Sequence, residues 1–297
     1  MRKDTLRIGL LCILLLLLFS GAVLLPHAQR AAAGAMAAAP GHAADPRGEV
    51  AVPIIMYHSI LKDPARAGDY ILSPAMLESD LIYLAEHGYE TVVVQDLIDF
   101  VDGVGVLPEK PVMITLDDGH YNNLAYVLPI LERMQMRAVI SIVGAYTDRF
   151  TEEPDPNPNY AYLSWEEVRE LAGSGYVEIQ NHSYDMHGLL GRKGSARMRG
   201  ESEEQYRRLF TEDTQRVQSA LLEHTGQAAT AYAYPFGNSC EEAEKCLHEL
   251  GFRASFTCRE QGNTVRRGDP ESLFGLGRFN RPSGERSAAF MRRAGIV

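Results

Sequence analysis

Thr115-Leu116-Asp117-Asp118-Gly119 closes one short apolar run of the sequence, and His182-Ser183-Tyr184-Asp185-Met186-His187 closes another. Two adjacent carboxylates leaving a buried strand are costly to desolvate, and such a pair is held ionised by a cation or placed for proton transfer. Successive side chains leaving a strand point in different directions, so the two acids divide the work: one binds a metal and its neighbour acts as base. His182 and His187 are five positions apart. On a helix that spacing would set them about 140° apart around the axis, so they must lie on a loop that folds back. With one Asp they make a two-imidazole, one-carboxylate site with open positions, suited to a catalytic zinc or a similar divalent ion. Two loop histidines alone are more often solvated or structural, and it is their match to the Asp pair that makes them informative. A water acidified by the ion, an ionised Asp to take its proton and a protonated His for the leaving group amount to hydrolysis of an amide or ester.

Residues so far apart must be brought together by the fold. Short, mostly apolar runs at Val52–Tyr57, Thr91–Val94, Val112–Leu116, Ala138–Val143, Tyr176–Gln180, Thr230–Tyr234 and Ala254–Cys258 read as strands of a parallel sheet. Between them, Leu77, Leu81, Leu84 and Ala85 mark one helical face and Leu124, Val127, Leu128 and Leu131 another. A longer helix over Glu203–His224 turns Tyr206, Phe210, Val217 and Leu221 inward. Ser73-Pro74 and Ser164-Trp165-Glu166-Glu167 supply helix starts, so Trp165 is expected to pack in a first turn. The alternation predicts an α/β fold, an irregular (β/α) barrel of about seven strands, with functional groups at the C-terminal strand ends. His58 follows one run, Asp117 and Asp118 another, His182 a third and Pro235-Phe236-Gly237 a fourth. His120, Asn122 and Asn123 read as surface-loop residues ahead of the alternative that they approach the metal, while Tyr184 and Asp185 either shape the pocket or cap the turn.

At 297 residues one catalytic domain suffices, and a formal net charge of −10 offers no basic footprint for nucleic acid. Arg2, Lys3 and Arg7 precede an apolar stretch from Ile8 to Leu25, so residues 1–25 are expected to be a signal peptide or membrane anchor, with the anchor preferred. Residues 26–49, rich in Ala, Gly and Pro, read as a flexible linker, leaving 50–297 as the catalytic domain. The chain is therefore expected outside the cytoplasm, membrane-anchored or secreted. Cys12 lies within the apolar run, and Cys240, Cys246 and Cys258 allow one disulfide and one free thiol. None of them is given chemistry.

From Val52 to about Pro282 the sequence resembles the polysaccharide deacetylase family with NodB homology. Its first motif, Thr-Phe-Asp-Asp-Gly, is matched at Thr115–Gly119 with Leu116 in place of Phe, which implies Asp117 as general base and Asp118 as metal ligand. His182 to His187 is similar to a lengthened form of the second motif and would complete the metal triad. The third motif, Arg-x-Pro-Tyr, is met by Ala233-Tyr234-Pro235-Phe236, where the backbone N–H of Phe236 would face the oxyanion but Ala stands in place of the Arg that orients the base. Met56-Tyr57-His58 resembles the branch containing poly-N-acetylglucosamine deacetylases, in which an early His is the general acid. Arg278 is a candidate partner for a carboxylate in that branch, but a salt bridge to an exposed acid explains it equally well, so it stays outside the expected core site.

The resemblance implies removal of N-acetyl groups from an acetylated amino-sugar polysaccharide: poly-N-acetylglucosamine, peptidoglycan or a chitin-like polymer. One divalent ion is implied, zinc first, with cobalt or nickel as alternatives. An O-acetyl sugar esterase is the nearest enzymatic rival. A catalytically silent polysaccharide-binding domain is kept open by Ala233. A metallophosphoesterase would want more carboxylates or a second metal.

Overall fold

In the computed structural model residues 47–188 and 191–297 are described, so the expected anchor or signal segment and nearly all of the expected linker lie outside the described residues. Eight strands form the central sheet: β1 (Ile54–Tyr57), β2 (Glu90–Val92), β3 (Pro111–Leu116), β4 (Ala138–Ile142), β5 (Val177–Asn181), β6 (Ala231–Ala233), β7 (Ala254–Phe256) and β8 (Phe279–Asn280). All pair in parallel, in the order β7-β6-β5-β4-β3-β1-β8, with β2 set against the first half of β3. The helices are α1 (Pro74–Glu86), α2 (Val94–Val101), α3 (Leu128–Met134), α4 (Gly144–Glu152), α5 (Trp165–Gly173), α6 (Glu203–Thr225), α7 (Glu241–Glu249) and α8 (Ser287–Arg293).

Every residue of β3 is buried, as a strand covered on both faces requires. The two faces nevertheless differ. Ile54, Met113, Val139 and Ala231 join one buried cluster with Ala233, Ala254 and Phe256, while their neighbours Ile55, Ile114, Ile140 and Tyr232 join the cluster shared with the helices. The period of two in a strand therefore sorts side chains into a barrel interior and an outer layer. The seven strands expected from the sequence are present, with ends shifted by one or two residues. The run at Thr91–Val94 stops at Val92, because Val94 already begins α2, whose first backbone N–H groups at Val94 and Gln95 donate to Glu178 at 3.2 and 3.1 Å. A carboxylate at that helix end satisfies orphan donors and the dipole together.

The helix starts follow their local chemistry. Ser73 Oγ accepts from the Met76 N–H, and Ser164 and Glu167 form a reciprocal capping box. Trp165 is buried, stacks on His224 at 4.8 Å and donates to Asp148. Leu77, Leu81 and Leu84 face the core, whereas Ala85 faces solvent. Tyr206, Phe210, Val217 and Leu221 are all buried along α6. Cys240, Cys246 and Cys258 are all free, so the disulfide that their number allowed is not made.

The barrel closes irregularly. Residues 276–278 bond to the end of β7 and the residues just beyond it, through Leu276 N to Ser255 O, Thr257 N to Leu276 O and Arg278 N to Arg259 O, all between 2.8 and 2.9 Å. The next two residues, β8, pair with Ile55 and Met56 of β1. One short segment thus spans the gap between the two ends of the sheet. Just past it, the buried Arg281 donates to buried Asp80 of α1 at 2.8 and 3.0 Å, and the Tyr57 hydroxyl donates to the same carboxylate at 3.1 Å. Removing one partner of a buried ion pair strands the other, so Asp80→Ala is expected to cost about 3–5 kcal/mol in urea unfolding. A loss under about 1 kcal/mol, the range of an exposed pair, would show that the pair does not hold the seam.

Candidate active site

The C-terminal ends of β1, β3, β5 and β6 open into a cleft of about 820 Å³ lined by His58, Asp117, Asp118, His182, His187 and Phe236, among others. After Leu116 the chain leaves β3 through Asp118 (φ 74°) and Gly119 (φ 71°), two successive left-handed residues. A Cβ at Gly119 would come within 3.0 Å of Ile142 Cγ2, so only glycine lets the loop pass. This twist sends the two carboxylates apart. Asp117 points into the barrel and Asp118 toward the histidines.

Asp118 Oδ1 lies 3.1 Å from His187 Nε2 and 3.5 Å from His182 Nε2, and these three donor atoms all fall within 4.8 Å of one another. His182 Nδ1 donates to the Ala233 carbonyl at 2.8 Å, which leaves Nε2 as the nitrogen with a free lone pair. Asp118 Oδ1 is buried yet accepts no hydrogen bond. An orphaned carboxylate oxygen facing two imidazole nitrogens fits a divalent cation by donor type and by the need for charge compensation. Burial would raise the Asp118 pKa, but the imidazoles of His120, His182 and His187 hold it well below the usual carboxylate range.

The loop carrying His182 and His187 folds back, and its shape is held from α6. Asp213 accepts from the Tyr184 and Asp185 N–H groups at 2.8 Å each, and Asn181 Oδ1 accepts from Ser183 N–H at 2.8 Å. Ser183 has φ 73°. Tyr184 donates to Asp148 at 2.7 Å and is not among the residues lining the cleft, so it and Asp185 serve the turn. Of the four non-glycine residues with positive φ among those described, three are Asp118, Ser183 and Phe236, and all sit in the site loops. Strain concentrated in this way belongs to functional sites that the surroundings over-determine.

Asp117 forms a bidentate pair with Arg278, both distances 2.7 Å and both side chains buried. Burial pushes the Asp117 pKa up, yet the Arg278 guanidinium, together with His182 and His58, holds it below the ordinary value. Arg278 therefore corrects the expectation that left it outside the site. Ala233 lies in the barrel interior, paired in register with Phe256, and the Arg278 guanidinium sits 5.5 Å from the Phe256 ring. Both residues thus neighbour Phe256, Ala233 through strand pairing and Arg278 through its guanidinium. The sequence signal for Arg278 was only the resemblance to that branch, with nothing local to place it inside the barrel. Asp213 carries no local signal at all.

Two other expectations are corrected. Asn122 and Asn123 are buried: Asn122 accepts from Ile60 N–H at 2.9 Å and Asn123 donates to the His58 carbonyl at 3.0 Å, tying the loop after β1 to that after β3. His120 lines the cleft, with Nε2 at 3.4 Å from Asp118 Oδ2, and stacks on Tyr162. His58 stands at the cleft edge-on to Tyr70 at 4.9 Å, and its Nδ1 has no hydrogen-bond partner. Burial lowers its pKa, with Asp118 and Asp117 opposing. Phe236 (φ 58°) follows Pro235 in the turn after β6, its ring 4.5 Å from His187.

With this geometry in hand, the profile of the polysaccharide deacetylase family matches residues 105–255. The chain belongs to the polysaccharide deacetylase family. It is similar to the poly-β-1,6-N-acetyl-D-glucosamine N-deacetylase of Escherichia coli (strain K12), 25% identical over 224 residues covering 68% of this chain and 33% of that protein. It thus spans about a third of the length of that relative. The enzyme of the same name from Staphylococcus aureus (strain MRSA252) is 22% identical over 201 residues, 68% of this chain and 66% of its own. Among solved structures, IcaB from Ammonifex degensii superposes with a TM-score of 0.67 at 26% identity, covering 83% of this chain and 96% of that one. A de-N-acetylase from Aggregatibacter actinomycetemcomitans gives a TM-score of 0.69 at 22% identity, covering 82% and 100%. The barrel is therefore a fold shared with these deacetylases.

The ion pair makes a prediction with a defined sign. The Asp117 pKa is depressed in the folded protein, so the pair stabilises above the unfolded carboxylate value and that contribution fades as the pH falls through the folded one. In Arg278→Met the carboxylate is buried and unpaired, which costs about 3–5 kcal/mol near neutrality. The deficit should shrink toward roughly pH 4, where the lone acid takes up a proton. Chemical denaturation of both proteins at neutral and acid pH measures it, and a deficit that does not vary with pH would mean that Asp117 is not ionised in the pair.

Proposed function

We propose that this chain is a metal-dependent hydrolase that removes N-acetyl groups from an N-acetylglucosamine-containing polysaccharide outside the cytoplasm. The observation that carries this reading is a buried carboxylate, Asp117, locked by Arg278 directly beside three converging donor atoms at the floor of one cleft. The named activity of the Escherichia coli and Staphylococcus aureus relatives supplies the substrate class. Ala233 had kept a silent binding domain open, and Arg278 weighs against it, since a binder has no need of an oriented base next to the triad.

In this reading Asp118, His182 and His187 hold one divalent ion, zinc first among zinc, cobalt and nickel. The ion would supply Lewis acidity, polarising a carbonyl and easing the ionisation of water. Asp117 takes the proton of the attacking water, and Arg278 keeps its carboxylate ionised and fixed in direction. The Phe236 backbone N–H faces the oxyanion at the mouth formed with Pro235. His58 delivers a proton to the departing amine nitrogen, so the C–N bond breaks to leave acetate and a free amine. Burial lowers its pKa, which makes the protonated imidazole a stronger acid while leaving less of it protonated, and the carboxylates of Asp118 and Asp117 oppose that loss.

Acetate release from β-1,6-linked N-acetylglucosamine, peptidoglycan and chitin-type oligomers tests the reading. Activity should vanish on chelation and return with added zinc. Asp117→Asn should retain bound metal while losing about 10²–10⁴-fold in turnover. His58→Ala should lose more on the amide than on a chromogenic acetyl ester, because only the amine needs strong acid assistance. No release by the zinc-loaded protein from any of the three polymers would defeat the proposal, and full activity in Asp117→Asn would defeat the base assignment.

Export rests on the basic and apolar segment 1–25. Fractionation of cells expressing the full chain should find it in the membrane or outside, and a soluble cytoplasmic pool as the main product would refute this part.

A further inference from the structure

The cleft does not end at the triad. Tyr160 and Tyr162, between α4 and α5, line both the cleft and a second hollow of about 440 Å³ that also includes Phe150, Glu153 and Asp155. Aromatic rings connect the two spaces. His120, beside Asp118, stacks on Tyr162 at 4.8 Å, and Tyr162 in turn meets Tyr146 at 4.4 Å and Phe150 at 5.8 Å. Tyr160 stands 55% exposed with its hydroxyl donating to Asp155, so its ring is held in place while its face stays open to solvent. A single exposed aromatic needs no explanation, but this one forms the divide between the candidate catalytic cleft and an adjoining hollow.

A pyranose ring presents an apolar face of C–H groups edged by hydroxyls. It suits a site that offers an aromatic surface and a few carboxylate acceptors. We propose that the outer hollow is a binding subsite for the sugar unit next to the one being deacetylated, with Tyr160 and Phe150 as its platforms and Glu153 and Asp155 accepting from its hydroxyls. The inference rests on the deacetylase reading for the identity of the occupant. It adds that the protein recognises its substrate as a chain, gripping a neighbouring unit along the side lined by Tyr162.

The test compares free N-acetylglucosamine, which has no neighbouring unit, with its five-unit oligomer, by acetate release and by titration calorimetry on the zinc-loaded protein. The wild type should prefer the longer oligomer. In Tyr160→Ala the ratio of long to short, in kcat/KM and in affinity, should fall about tenfold through the long oligomer's KM, the scale of one lost aromatic contact. Tyr160→Phe keeps the ring and should keep the ratio, which separates a platform from a loop held by the Asp155 bond. Unchanged length preference in Tyr160→Ala, or equal loss in Tyr160→Phe, overturns the subsite. If the wild type releases no acetate but its affinity for the longer oligomer still falls in Tyr160→Ala, the hydrolase reading fails and the subsite stands.

Discussion

A carboxylate placed at the mouth of a parallel barrel is useful as a base only if it stays ionised while shielded from water. Burial alone opposes that state, and here it is opposed chiefly by one buried guanidinium, Arg278, bound to both oxygens of Asp117, with His182 and His58 adding to it. Two planar groups in fork geometry also fix direction, which a point charge would not. The rest of the site is arranged around this pair. The left-handed turn at Asp118 and Gly119 separates the second carboxylate from the first, and Asp118 is then free to face the imidazoles.

The support for the imidazoles is built from backbone more than from side chains. Position 233 contributes its carbonyl to His182, a bond any residue can make, while its methyl group packs in the barrel interior. The loop between His182 and His187 is pinned by Asp213 through two backbone N–H groups and by Asn181 through a third. Such contacts constrain shape without constraining the identity of the residues held.

That difference explains what could be read from the sequence. The strand ends bearing Asp117, Asp118 and His182 were legible because each follows an apolar run whose period and composition are local properties. The barrel followed from their alternation with amphipathic segments. Strand β8 was not legible, since two residues carry no pattern, and its existence depends on pairing with a strand more than two hundred positions earlier. Arg278 depends on the same closure: nothing near it in the sequence says that it points inward. Asn122 and Asn123 looked like loop polars because polar residues after a glycine turn usually face water. They are buried because backbone groups at Ile60 and His58 needed partners.

Asp117 and Arg278 are 161 positions apart, and the guanidinium arrives on the segment that seals the sheet. During synthesis the acid therefore emerges long before its partner. The segment that completes the fold is also the one that brings the buried acid its counter-charge, so a fault in the seam and a fault in the Asp117 pair cannot be separated.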